Sequence, residues 1–343
     1  MTDPGVRLRR GAEQIAATDA LATACGGRVG LSPLLEKLDR QGRRGWAPGL
    51  RTRWAFTWDR EDRRTTRWWP QGISTGADAS GSPDGLVEGH RVVLTTWYAK
   101  PRPDGHHGVR LSLVDLDSHR YAHVLLVDAA VDAQGNVSVA PVKIHAGGLV
   151  WRRGIVHVAA TARGFVTAHL DDLVRVPERS GLTTYGYRWL LPVRTHYAAE
   201  TDEGTEPFRF SFFSLDRSGG TPSLLAGEYA RGRQTRRLVR YALEPGSGHL
   251  ATDGDGVARP TWLVDAGVGH MQGVVSDGDW LVVSTSHGPF TLGSLHRGEP
   301  GAWTRHRWAT PMGPEDLVGW PSRGELWSLS EHPHRRWVYP IRL

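Results

Sequence analysis

His145 and Glu315 are the two side chains of this chain best suited by type and setting to move a proton. A histidine and a carboxylic acid facing each other in a partly dry cavity can serve as general base and general acid. Gln71 and Gln272 add amide groups able to hold a carbonyl or hydroxyl of a bound molecule. Glu331, Ser286, Trp97 and Tyr98 lie at the ends of apolar runs, and Trp69, Tyr187 and His270 offer walls. The chemistry such a set supports is non-redox: isomerisation, cyclisation, elimination or hydrolysis. It needs no cofactor, and none is expected. No G-x-S-x-G, H-E-x-x-H, Walker or dinucleotide motif is present.

These residues are scattered from position 69 to position 331, so a repeating architecture must gather them. Gln71 and Gln272 each precede a glycine that opens a β-branched run, in "QGIS" (71–74) and "QGVV" (272–275). "GGLV" (147–150) repeats the pattern beside His145, and Glu315 opens "EDLV". "QGVVSDGDWLVVSTS" (272–286) aligns without a gap on "GGLVWRRGIVHVAAT" (147–161). "RLSLVDLD" (110–117) and "RFSFFSLD" (209–216) share a second motif. Short, turn-punctuated runs with internal repeats predict an all-β, radially stacked fold. The expectation is a five-bladed β-propeller with units at about 70–140, 144–182, 185–245, 268–311 and 313–343. The last unit has too few strands, so "RTRWAFTW" (51–58) is expected to supply its outer strand and close the ring. Residues 11–42 read as helix, which divides the chain into a helical extension over 1–48 and a propeller over 49–343. The starts of the innermost strands would then converge on one central mouth.

The stretches "WPQGIST", "HAGGLVW", "FRFSFFSLDR", "MQGVV…STSHG" and "GPEDL…ELWSLSEHP" resemble a family of largely uncharacterised bacterial five-bladed propeller-like proteins, many of them secreted. The resemblance spans about residues 68 to 343. It implies the fold and carries no activity with it.

Composition narrows the partners. The chain is 39% hydrophobic and 23% charged, which suits a globular domain. Fifteen tryptophans require either a large core or an aromatic site. The net charge is +6, with arginine clusters at 60–67 and 231–240. Neither interleaves aromatic residues as a nucleic-acid groove does, so both read as solvated faces and no nucleic-acid partner is expected. Cys25 is the only cysteine, which excludes an intrachain disulfide and a thiolate metal cage. No metal is expected; His106, His107, His332 and His334 read as loop residues. No run approaches a membrane span, and Glu13 and Asp19 interrupt the only candidate export signal. A cytoplasmic monomer is the expectation, with export the alternative.

The sequence therefore points to a cofactor-independent enzyme acting on a small, partly apolar metabolite, of the kind found in specialised metabolism. The alternative is a glycan- or ligand-binding propeller without catalysis, using Trp68, Trp69, Trp97 and Trp320 on open blade tips. A closed-bottomed cavity lined by His145 and Glu315 would favour the enzyme, and exposed tip tryptophans the binding module.

Overall fold

A computed structural model describes residues 5–82 and 84–343. The fold is mostly β and is built from consecutive antiparallel meanders. The first runs through Trp68–Thr75, Val92–Ala99, Val109–Asp115 and Arg120–Val131. The second runs through Leu149–Arg152, Ile155–Ala159, Gly164–His169 and Trp189–Thr201. The third comprises Phe212–Asp216, Ser223–Gly227, Arg237–Ala242 and Trp262–Asp265. The fourth comprises Met271–Asp277, Trp280–Thr285, Leu292–Glu299 and Ala302–Met312. The last contains Pro314–Trp320, Glu325–Ser330 and Trp337–Ile341.

The first strands of these meanders pack against one another in a closed, propeller-like circle, in which the strand at Trp68 neighbours those at Leu149 and Pro314. Val109–Asp115 is buried along its whole length because each meander is covered on both faces. Apolar clusters fill the wedges between successive meanders. Leu94, Leu111, Leu149 and Trp151 join the first to the second. Phe213 and Leu224 meet Val150 and Phe165 of the second. Phe212 and Leu225 meet Val274 and Val283 of the fourth. Val282 and Leu295 meet Leu317 and Leu326. Trp320 and Trp327 meet Ile73, Val93 and Trp97, which returns the circle to its start. Much of the tryptophan content lies in this last wedge.

Close packing on the axis explains the glycines. A Cβ on Gly148 would sit 2.4 Å from the Phe213 nitrogen, and one on Gly273 would sit 2.4 Å from the Leu317 nitrogen. Only a residue without a side chain lets the innermost strands approach this closely.

Ala55–Thr57 pairs antiparallel with Trp337–Ile341, with Trp337 opposite Thr57 and Val338 opposite Phe56. Residues 51–58 thus supply the outer strand that the last meander lacked. Arg43–Gly45 adds a further strand outside it.

Three expectations need correction. The helix over 11–42 is two shorter helices, Ile15–Ala24 and Ser32–Glu36. Ahead of them Val6–Arg10 is a strand, paired with Trp189–Thr201 and Val257–Ala258. The second unit runs on to Thr201, so "YGYRWLL" leads into its outer strand and the third unit begins at Phe212. The two "Ser…Leu-Asp" motifs are not equivalent either: Val109–Asp115 is a third strand and Phe212–Asp216 a first strand. The first two meanders are also fused, because Trp189–Thr201 runs parallel to Arg120–Val131 with Leu191 opposite Leu126. No helix among the described residues is long and apolar enough to cross a membrane.

Deleting residues 1–58 is expected to prevent cooperative folding, since the outer strand of the last meander goes with it. Deleting only 1–45 removes the Val6–Arg10 pairing and the buried Leu21, so it is expected to lower the melting midpoint measurably but not abolish the transition. Thermal unfolding of both truncations checks this. A 1–58 deletion that melts like the full chain would rule out the closure.

Candidate active site

A cavity of about 600 Å³ opens at the end of the axis where the innermost strands begin. Gln71, His145, Ser211, Gln272 and Glu315 each reach it from a different meander. Tyr98, Lys100, Thr161, Tyr229 and Glu331, near the ends of second strands, complete the wall.

Irregular pairing aims these side chains. The register shifts between Pro70 and Ile73, between Met271 and Gly273, and between Pro314 and Leu317. A bulge places extra residues outside the ladder and redirects their side chains. Glu315 and Asp316 occupy one such bulge and point their carboxyls to different partners. Asp316 is fully buried and accepts backbone N–H groups of Ile73 at 3.2 Å, Leu149 at 3.1 Å and Leu317 at 3.0 Å. The Phe213 N–H is a fourth donor. Strands of four meanders thereby meet on one carboxyl, which closes the channel at this depth. Burial pushes the Asp316 pKa up, and the four N–H groups oppose that.

Glu315 faces the cavity and is hydrogen-bonded to Glu331. Gln272 Nε2 donates to Glu315 Oε1 at 3.3 Å, and Gln71 Nε2 donates to Glu331 Oε2 at 3.1 Å. Each glutamine amide therefore holds one carboxyl of the pair. Burial drives the Glu315 pKa well above the carboxylate range, and the charges of Glu331 and Asp316 add to the effect. Burial also raises Glu331, while Lys100, Gln71, Arg336 and the bond from Glu315 pull it back. The pair titrates as a unit, and burial favours keeping a proton on it.

His145 lies on the opposite wall, stacked on Tyr98 with ring centroids 4.5 Å apart. Its position is set by a tight turn: Ala146 adopts a φ of +59°, and its carbonyl accepts from Thr96 Oγ1 at 2.7 Å. The surrounding walls, and then the Lys100 ammonium, push the His145 pKa down, although the side chain stays open to the cavity. Both effects favour the neutral imidazole. No hydrogen bond joins it to a carboxylate among the described residues; the hydrogen-bonded partner of Glu315 is Glu331.

No family model and no curated protein matches this chain. Among solved structures, the β-propeller domain of Cps50 (Swd1) from Myceliophteria thermophila covers 86% of this chain and 100% of its own, at 13% identity and a TM-score of 0.38. A gluconolactonase from Xanthomonas campestris covers 88% of each chain, at 13% identity and a TM-score of 0.38. A GH43_1 enzyme from Xanthomonas citri covers 80% of this chain and 89% of its own, at 12% identity and a TM-score of 0.36. Superpositions this loose say nothing about chemistry.

Trp69, Gln71, Tyr98, His145, Gln272, Glu315 and Glu331 all line the cavity, as expected from the sequence. Trp97, Tyr187, His270 and Ser286 do not. Neighbours in a strand face opposite ways, so with Tyr98 in the wall Trp97 must turn inward, where it packs on Trp58. Tyr187 belongs to the loop before Trp189 and lines a different cavity. His270 stacks on Tyr229 with centroids 6.0 Å apart, one ring removed from the site, and its carbonyl accepts the Ser286 N–H. Trp97 and Trp320 are fully buried and Trp68 nearly so, which removes them as tip residues for a glycan.

Lys100, Arg209, Ser211, Tyr229, Arg231 and His332 are among the additions, with Thr161 and Gln234. Lys100 stands over the Trp69 ring, 3.3 Å from its centroid. It is one of three lysines in the chain and follows Trp97-Tyr98-Ala99 directly, a signal that strand register could have used. Lys100 and Arg231 have no carboxylate within salt-bridge reach among the described residues, whereas Arg209 pairs with Glu206 and Glu228. Among the described residues no group of three or more His, Cys, Asp or Glu side chains is placed to hold a metal ion.

Proposed function

We propose that this protein is a five-bladed β-propeller enzyme, independent of cofactors, that moves a proton on a small acidic metabolite. The observation that carries the reading is the Glu315–Glu331 carboxyl pair, hydrogen-bonded within a cavity that a buried carboxyl closes from below. Two carboxyls sharing a proton offer an acid and a base at one place. Glu331 takes a proton from a carbon or from water, and Glu315 delivers its own to the developing oxyanion or leaving group. Gln71 and Gln272 keep the two carboxyls in register. Trp69, Tyr98 and Tyr229 supply apolar wall, and Lys100 and Arg231 meet an anionic group of the substrate. Isomerisation, cyclisation, elimination and hydrolysis all fit this proton balance. Direct hydrogen bonding leaves no gap of about 5 Å or more between the carboxyls, as glycoside hydrolysis by a carboxyl pair requires.

The test is incubation of the purified chain with fractionated small organic acids in heavy water, followed by mass spectrometry. A compound that gains deuterium or changes mass with the wild type, and not with Glu331→Gln, supports the reading. Compounds that bind both proteins equally, with no exchange or conversion, would reduce the propeller to a binding module.

A further inference from the structure

The Arg60–Arg67 cluster, which reads as a solvated face in the sequence, lines a second cavity. This cavity measures about 970 Å³ and lies beside the first meander, between residues 60–68 and the loop at 185–189. Seven arginines and three carboxylates line it, in a chain whose formal net charge is only +6. Its floor is rigid. The Arg110 guanidinium is buried between Trp68 and Trp97, with its carbon 4.6 Å from each ring centroid. Arg110 donates to Asp62 and to Tyr187 Oη, while its Nε has no partner. Asp62 is occupied by Arg110, Tyr121 and His123, so little of its charge is left for the cavity.

The mouth is less satisfied. Arg60 and Arg64 are exposed and have no carboxylate within salt-bridge reach among the described residues. Arg67 pairs with Asp104 and donates to His107 Nε2 at 3.0 Å, and the His107 ring stacks on Tyr185 at 4.2 Å, which leaves Arg60 and Arg64 as the unmatched charges of the mouth. Cations gathered in a concave site repel one another unless an anion joins them. The guanidinium fork matches phosphate and carboxylate oxygens two at a time. A concavity of this size suits a small molecule, whereas a nucleic acid would need an extended basic track with successive stacking platforms.

We infer that this cavity binds a small polyanion carrying adjacent phosphate groups, at a site separate from the axial cavity. Calorimetric titration of the full chain with inorganic pyrophosphate at constant ionic strength tests it. The expected result is saturable binding to one site, weakened at least about tenfold by the paired change Arg60→Ala and Arg64→Ala. Both side chains are exposed, so the melting midpoint of that variant should stay where it is. Arg231→Ala, in the axial cavity, should leave pyrophosphate binding unchanged. Absence of saturation, equal affinity in the paired variant, or loss of binding in Arg231→Ala would each overturn the assignment. So would tight, salt-sensitive binding of a short single-stranded oligonucleotide by a chain that ignores pyrophosphate.

Discussion

Glu331→Gln and Glu315→Gln are each expected to lower turnover by about 10² to 10⁴, the usual worth of a positioned acid or base. The changes are nearly isosteric, so the fold should persist. Because burial raises both carboxyls, the acid limb of the wild-type pH–rate profile should lie above the ordinary carboxylate range of about 4. The profile should be bell-shaped, since activity needs one proton in the pair. Stability carries the same signature. A carboxyl whose folded pKa is raised binds its proton more tightly in the folded state than in the unfolded one. Stability is therefore greatest below the unfolded carboxylate pKa and declines as pH rises towards the folded value. Glu315→Gln removes that decline, so its melting midpoint should vary less with pH than that of the wild type and exceed it at neutral pH. A variant that keeps wild-type turnover, or melts with the wild-type pH dependence, would show that the pair is not the proton site.

Asp316→Ala is expected to unfold the protein. Four buried N–H groups lose their acceptor at once, and each such loss costs about 1–3 kcal/mol. The sum is comparable with the whole stability of a typical domain, about 5–15 kcal/mol. Asp316→Asn retains one acceptor oxygen but turns an NH₂ group toward backbone donors, so it should also be damaging. Denaturant unfolding of both variants is the measurement. Retention of the wild-type midpoint in Asp316→Ala would mean that the axis holds together without this carboxyl. The contrast with Glu315 is informative: adjacent residues of one bulge are expected to fail in opposite ways, one in turnover and one in folding.

Much of this site is legible in the sequence because glycines mark it. Gly72, Gly148 and Gly273 lie where innermost strands nearly touch, and Gln71, His145 and Gln272 close before them face the cavity. The third meander carries no such mark. Its first strand begins after Ser211, in a run of aromatic residues that resembles an interior strand, so the repeat pattern points to Tyr185 and gives no sign of Ser211 and Arg209. Trp97 is hard to place for a related reason, since composition alone cannot say which of two adjacent aromatics faces the cavity. Side-chain reach was also hidden. Glu331 is recognisable as a mouth residue, but its hydrogen bond to Glu315 depends on a bulge in another strand. The Arg60–Arg67 cluster is plainly basic, and only the fold brings Arg110 and Arg188 around it to form a concavity.

The pairing of Thr57 with Trp337 has a consequence for the newly made chain. On the ribosome the first partner of that pair waits for 280 further residues before the second exists. At about 5–20 residues per second, the edge of Ala55–Thr57 that faces away from Arg43–Gly45 stays unpaired for roughly 15–60 s. Over that interval Phe56 and Trp58 can meet Trp97 and Tyr121 of the first meander, but Trp320, Trp327 and Val338 of their shared cluster are still to be made. Earlier meanders can assemble as they emerge, but the circle cannot lock until Trp337–Ile341 has been made. Until then this edge is open to pairing with a neighbouring chain.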